Sequence, residues 1–400
     1  MLDLLLMAVA GVAAGVATGL LPGIHPNTIS SLLVSLSPIL LAMVSPHAAI
    51  TFIVAMSIAN SFLGFVPGVF LGMPEGETAL SLLPGHQLLL QGRGYEAVAL
   101  TVLGGVGVVL LSVLLLPLLL VILPVLYAHV RPFIGILLVA VAALMVLTER
   151  AKFRALAVFF LAGLLGVAVF SFYSVDAMLF PLFTGLFGIS TLLMSSASGV
   201  APPLQSREMD PLGRRAPVGV LKGFAAGLVV GILPGIGPSQ AGVVVSELTS
   251  RRDPREFLVA LGGISAVSAL FSLLALYLIR RPRSGAAVAV ERVFGALGFP
   301  ELLLLIATAI FSAGLGALLT LKLTGSFAGL IARVDYRKLN NAIILFLIVM
   351  TVVLSGPLGL LVLITATAIG LLPPLWGVKR TQGMGALMLP LVFFYFGLGF

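Results

Sequence analysis

Two Pro-Gly steps set in apolar sequence, Pro22-Gly23 and Pro234-Gly235, are the places where this chain is best equipped to hold a ligand. Each is followed by a second proline, Pro26 or Pro238, and then by small polar residues, Asn27-Thr28 or Ser239-Gln240. A helix that stops at Leu21-Pro22 and restarts at Pro26 sets carbonyls without partners beside amides without partners. Proline suits the first helical position, where no amide is needed. The restarted helix offers free amides and a positive dipole end to an anion, and the carbonyls of the ended helix suit Na⁺. Asn27, Thr28, Ser239 and Gln240 fall in the first turn and add uncharged hydrogen bonds. Breaks of this kind also occur as plain kinks whose freed backbone groups are satisfied by neighbouring helices.

The charged candidates are Glu75 and Glu77, in Gly72-Met73-Pro74-Glu75-Gly76-Glu77-Thr78, and Arg93. A carboxylate inside a membrane is costly unless it is paired, protonated or bound to a cation, which makes Glu75 and Glu77 candidates for ion coupling. The bland reading is that they serve a helix N-terminus in a wet loop. Arg93 is suited to pair with these carboxylates or with an anionic substrate; it also fits an ordinary interfacial arginine. His25, His47, His86 and His129 are scattered without metal-ligand spacing, and no phosphate-binding loop, H-E-x-x-H or G-x-S-x-G motif is present. No metal site, no cofactor, no nucleic-acid partner and no enzyme activity is expected. There is no Cys, hence no thiol chemistry.

The elements that must position these residues are membrane helices. Of 400 residues 60% are apolar and 9% charged, with mean hydropathy +1.23. Charge-free runs such as 101–126, 155–172 and 302–319 suffice, alone or with their flanks, to cross about 30 Å of hydrocarbon. The pattern predicts roughly a dozen membrane segments, several of them broken. The net charge of +8 comes from basic residues in short loops, as the positive-inside rule expects, so the localisation is the cell membrane, multi-pass. The start Met1-Leu2-Asp3 has no basic region, which argues against a cleaved signal peptide.

The segment from Gly11 to Asn27 returns 212 residues later as Gly223 to Ser239, with ten of seventeen positions identical. In both copies a glycine at every fourth position, Gly11/Gly15/Gly19 and Gly223/Gly227/Gly231, precedes the break and permits close helix contact. Paired Pro/Gly interruptions at corresponding places in two halves are a pointer to the substrate site of a secondary transporter. The expected architecture is an all-α polytopic membrane protein of two tandem repeats, inverted in topology, with broken helices and re-entrant hairpins. Its parts are repeat 1 at 1–200, a polar linker at 201–216 and repeat 2 at 217–400. Pro and Gly density in Asn60 to Gly68, Gly72 to Thr78 and Gly92 to Ala97 predicts a re-entrant hairpin there in preference to a span.

Three stretches resemble the large membrane subunit of the tripartite tricarboxylate transporters, the TctA-like family. They are Gly15 to Thr28, Gly64 to Ala97 with its Q-G-R-G-x-E-A ending, and Lys222 to Glu247 with G-I-L-P-G-I-G-P-S. The resemblance implies a secondary, ion-coupled importer of di- or tricarboxylates, served by an extracytoplasmic binding protein and a small membrane subunit. The chain departs from the family's acidic, Asn-rich stretch, having Gly262 to Phe271 in its place. Residues and resemblance together predict a transporter of small organic anions, coupled to Na⁺ or H⁺, with its site between the two Pro-Gly breaks. The competing reading is a translocase for a polyprenyl-phosphate lipid carrier, which would want the same helix N-termini for its phosphate and Arg93 as counter-charge.

Overall fold

The computed structural model describes residues 2–20, 44–71, 82–172, 175–198, 203–210, 213, 215–232, 238, 241–242, 245, 254–331 and 336–398. The first half contains α1 (Leu2–Leu20), α2 (Pro46–Leu63), α3 (Phe65–Leu71), α4 (Leu82–Leu90), α5 (Gly94–Leu114), α6 (Leu116–Val130), α7 (Ile134–Leu147), α8 (Lys152–Phe172), α9 (Val175–Phe183) and α10 (Ser190–Ser198). The second contains α11 (Arg215–Ile232), α12 (Pro254–Ile279), α13 (Gly285–Phe294), α14 (Phe299–Ile331), α15 (Tyr336–Trp376) and α16 (Gly385–Tyr395). No strand occurs among the described residues, and eight helical stretches in them are long and apolar enough to cross a membrane.

Helix starts follow local chemistry. Ser45 caps α2, accepting from the Ala48 amide at 3.3 Å with Pro46 in the first position, and Ser284 caps α13 through the Ala287 amide. The predicted interruption near Asn60 proves slight, because α2 and α3 are parted only by Gly64. Pro67 falls in the first turn of α3, where its missing amide breaks no helical bond, and the chain stays helical to Leu71. In α15 the break is sharp. Gly356 takes φ 65° and ψ −165°, and the two arms fold back so that Leu347 and Ala366 both reach the π-helical turn Thr184–Ile189 joining α9 to α10.

Two helices form the centre: in both the Pro46–Phe70 stretch and α12, 94% of the apolar window is buried, against 28% for α1. Apolar on all sides, they are covered on all sides. Phe62, Phe65, Phe70 and Phe271 are their largest sealed side chains.

The glycine stripes lie on these central helices. Gly11 faces the Phe52 carbonyl, Gly15 faces Ala59 and Gly19 faces Leu63; Gly223 faces the Ala260 carbonyl, Gly227 faces Val267 and Gly231 faces Phe271. Contact positions 52, 59 and 63 thus become 260, 267 and 271, a constant step of 208 (260 less 52, 271 less 63). Both pairs are parallel: α1 with α2, and α11 with α12.

The pairs run in opposite directions. His47 at the start of α2 meets Glu301 at the start of α14, and Phe62 lies by Gly316 further along, so α2 and α14 are parallel. Glu96 meets Arg255, and Gly105 meets Ala266, so α5 and α12 are parallel. The linker touches the start of α5 through Ser206 and Gly92, and the far part of α14 through Arg207 and Gly325. Hence α14 opposes α5, and α2 opposes α12.

Candidate functional site

The described parts of the glycine-striped helices α1 and α11 reach Leu20 and Ile232, where Gly19 faces Leu63 at the end of α2 and Gly231 faces Phe271 in the second half of α12. Pro22, Gly23, Asn27, Thr28, Glu75, Glu77, Pro234, Gly235, Ser239 and Gln240 lie outside the described residues. What surrounds the two helix ends is polar for so buried a place. Asn60, 3% exposed, donates from its amide to the Thr18 hydroxyl at 3.1 Å, tying α2 to the last turn of α1. Ser57 and Ser61 lie beside it on α2, and α12 carries Ser265, Ser268 and Ser272, all buried. By the step of 208, Ser57 answers to Ser265 and Asn60 to Ser268. On α14, one turn before Gly316, the fully buried Ser312 hydroxyl has no partner among the described residues. Neutral hydroxyls and an amide here provide hydrogen bonding without a buried charge.

Arg93, the one sequence-derived site residue within the described part, stands at the start of α5 in a ring of alternating charge. Its Nε lies 2.6 Å from Glu96 Oε2 and its Nη1 2.7 Å from Asp210 Oδ2. Arg255, in the first turn of α12, closes the ring through Glu96 Oε1 at 2.8 Å and Asp210 Oδ2 at 3.0 Å. Glu96 is fully buried, whereas Asp210 is half exposed. The Arg93–Glu96 contact is an ion pair without hydrogen-bond alignment, since Glu96 Oε2 has no aligned donor. The hydrogen bond from Arg93, more than any other influence, holds the Asp210 carboxyl below its ordinary range.

The linker is docked beside this ring. Gln205 Oε1 accepts from the Gly94 amide at 2.8 Å, its Nε2 donates to the Leu89 carbonyl, and the Ser206 amide donates to the Gly92 carbonyl. Lys222 and Glu256, 2.6 Å apart, join α11 to α12 at the same end. Sequence reasoning passed over Glu96, Asp210 and Arg255. Arg93 and Glu96 are readable as an i,i+3 pair, but their partners 114 to 162 residues away come only from the fold.

A second polar cluster joins the loop after α7 to the segment after α15. The buried Glu149 carboxylate accepts from the Lys379 amide at 3.1 Å, Gln382 donates to the Met145 carbonyl at 2.7 Å, and Arg380 donates to Thr191. Among the described residues no group of three His, Cys, Asp or Glu side chains converges to hold a metal ion.

Two central helices carrying buried polar side chains, each packed on a glycine-striped helix, are accompanied by a match along almost the whole sequence. The profile of the tripartite tricarboxylate transporter TctA family covers residues 5–385. The chain belongs to the TctA family. It is 31% identical over 376 residues to an uncharacterized protein of Methanocaldococcus jannaschii, MJ1079, covering 91% of this chain and 92% of that one. No solved structure matches the chain. Membership makes this TctA-family protein a membrane component of a tricarboxylate-type transporter, multi-pass in the cell membrane. The tripartite family also implies a binding protein and a small membrane subunit as partners.

Proposed function

We propose that this TctA-family protein is a secondary, ion-coupled transporter of small organic anions of the di- and tricarboxylate class. The substrate would be held near mid-membrane between Pro22-Gly23 and Pro234-Gly235. The observation that carries this reading is the packing of the glycine stripes of α1 and α11, each leading in sequence into a Pro-Gly step, at corresponding levels of two central helices that run in opposite directions. That arrangement is what an inverted repeat with broken helices requires. In this reading the amides that follow each break bind carboxylate oxygens, and the carbonyls that end α1 and α11 receive the coupling cation. Asn60, Ser57, Ser265 and Ser268 add neutral hydrogen bonds around them. Arg93, engaged with Glu96 and Asp210 in this conformation, acts as a tie between halves, and Glu75 and Glu77 remain the candidates for moving the coupling charge.

The test is reconstitution in liposomes, with uptake of radiolabelled citrate and a C4-dicarboxylate driven by a Na⁺ or H⁺ gradient, and binding read by thermal shift. Gly23→Leu and Gly235→Leu should abolish binding in folded protein by filling the space a carboxylate needs. Asn27→Ala and Ser239→Ala should weaken it by only ~1 kcal/mol. Glu75→Gln or Glu77→Gln should stop gradient-driven uptake while leaving exchange measurable. Unchanged affinity in both leucine variants would remove the site from the breaks. Stabilisation by a polyprenyl phosphate, with none by any carboxylate, would overturn the substrate class.

A further inference from the structure

At the end of the molecule opposite the linker, three arginines gather around two tyrosines. After α12 the chain reverses at Arg280, which takes a positive φ of 50°, and the Arg283 amide returns to donate to Ser272 Oγ at 2.8 Å. The Arg283 guanidinium is thereby laid over the Tyr127 ring, 5.4 Å from its centroid. Its Nε and Nη2 are sealed from solvent and have no hydrogen-bond partner among the described residues. Arg281 lies two residues before Arg283, the Arg131 amide donates to the Tyr127 carbonyl, and Tyr395 stands near all three arginines. Gly135, just past Arg131, packs against Tyr395 and Phe396, which brings the start of α7 and the end of α16 together here. None of the ion pairs formed among the described residues uses any of these three arginines.

An arginine stacked on a ring keeps its five donors, and leaving two of them buried and unmade is expensive. The surroundings say what kind of acceptor suits them. The cluster is rimmed by Val125, Phe133, Phe394 and Phe396, each more than half exposed, on helices apolar enough to lie in lipid. A free inorganic anion would satisfy the guanidinium and leave that rim uncovered. A lipid phosphate satisfies the fork with its oxygens, and its acyl chains cover the phenyl rings.

We propose that Arg283, with Arg131 and Arg281, forms a binding site for the phosphate of an anionic phospholipid between α6, α12 and α16. The site is independent of the transport reading: it requires neither the Pro-Gly breaks nor a carboxylate substrate.

The test uses the full chain, stripped of lipid in mild detergent and titrated with phosphatidylglycerol or phosphatidylcholine, with bound lipid counted by native mass spectrometry. Phosphatidylglycerol should bind at least about tenfold more tightly than phosphatidylcholine, and excess inorganic phosphate should not displace it. Arg283→Gln should weaken phosphatidylglycerol about fivefold or more, Arg131→Gln should weaken it similarly, and Arg207→Gln in the linker at the opposite end should leave it unchanged. Because Arg131 is exposed, its variant keeps the test alive should Arg283→Gln fail to fold. Equal affinity for the two lipids, or phosphatidylglycerol binding unchanged in the arginine variants, overturns the site. Competition by phosphate with no preference between lipids would make it a free-anion site and overturn the lipid assignment.

Discussion

Glu96 is the residue on which most depends at the linker face. It is fully buried, and two arginines from different halves reach its two oxygens. Replacing it by glutamine keeps the shape and removes the charge both arginines were oriented around, so Glu96→Gln should destabilise by about 3–5 kcal/mol. Chemical unfolding in detergent would measure this, and Asp210→Asn should cost far less because that carboxylate is half exposed. Asp210 supplies the acid dependence. Its folded pKa lies below the ordinary 3.8, so its contribution is complete above that value and is lost as the pH falls through the lowered one. The protection of linker amides around Gln205, taken as exchange relative to each amide's intrinsic rate at that pH, should therefore stay constant from neutral pH to about pH 5 and fall only below about pH 4. Loosening in the histidine range would show that another group holds the linker.

Among the elements, the crossing of α5 and α12 is the tightest. Gly104 lies against the Val259 backbone and Gly262 against the Thr101 backbone, so each helix uses the other's missing side chain. A methyl group at either place meets backbone, which cannot rotate away as a side-chain tip can. Gly104→Ala and Gly262→Ala should each lower stability by about 1–3 kcal/mol. Gly314 in α14 meets nothing, and Gly314→Ala should be neutral or stabilising by about 0.4–1 kcal/mol. Melting temperatures of the three variants decide the matter; equal shifts would mean that helix propensity, and not the crossing, governs them.

For the whole molecule the directions of the helices settle which ends share a face. The linker and the starts of α5 and α12 lie together. Arg93, Arg207, Arg215, Lys222 and Arg255 crowd that face, and the positive-inside rule predicts that it is cytoplasmic. The native chain has no Cys, so single cysteines report sidedness cleanly. An impermeant maleimide on intact cells should label Ala296→Cys and spare Glu208→Cys, with the pattern completed only on lysis. Labelling of Glu208→Cys in intact cells would invert the assignment.

By itself the sequence determined the class, because a chain this apolar and this poor in charge suits a bilayer and not water. It also determined the glycine stripes and the paired Pro-Gly steps, since these are local patterns copied at a fixed distance. The family was legible for the same reason: its motifs are short, contiguous and in order. Only the tertiary structure decided that Asn60 meets Thr18, that Glu96 joins arginines 162 residues apart (255 less 93), and that α2 opposes α12. It alone stacked Arg283 on Tyr127. Side-chain partners across a membrane fold depend on how helices are turned and where they end, and no single helix carries that information. Hydropathy records that a segment lies in lipid, but in a medium as apolar as the side chains it is close packing and hydrogen bonding that choose the neighbour.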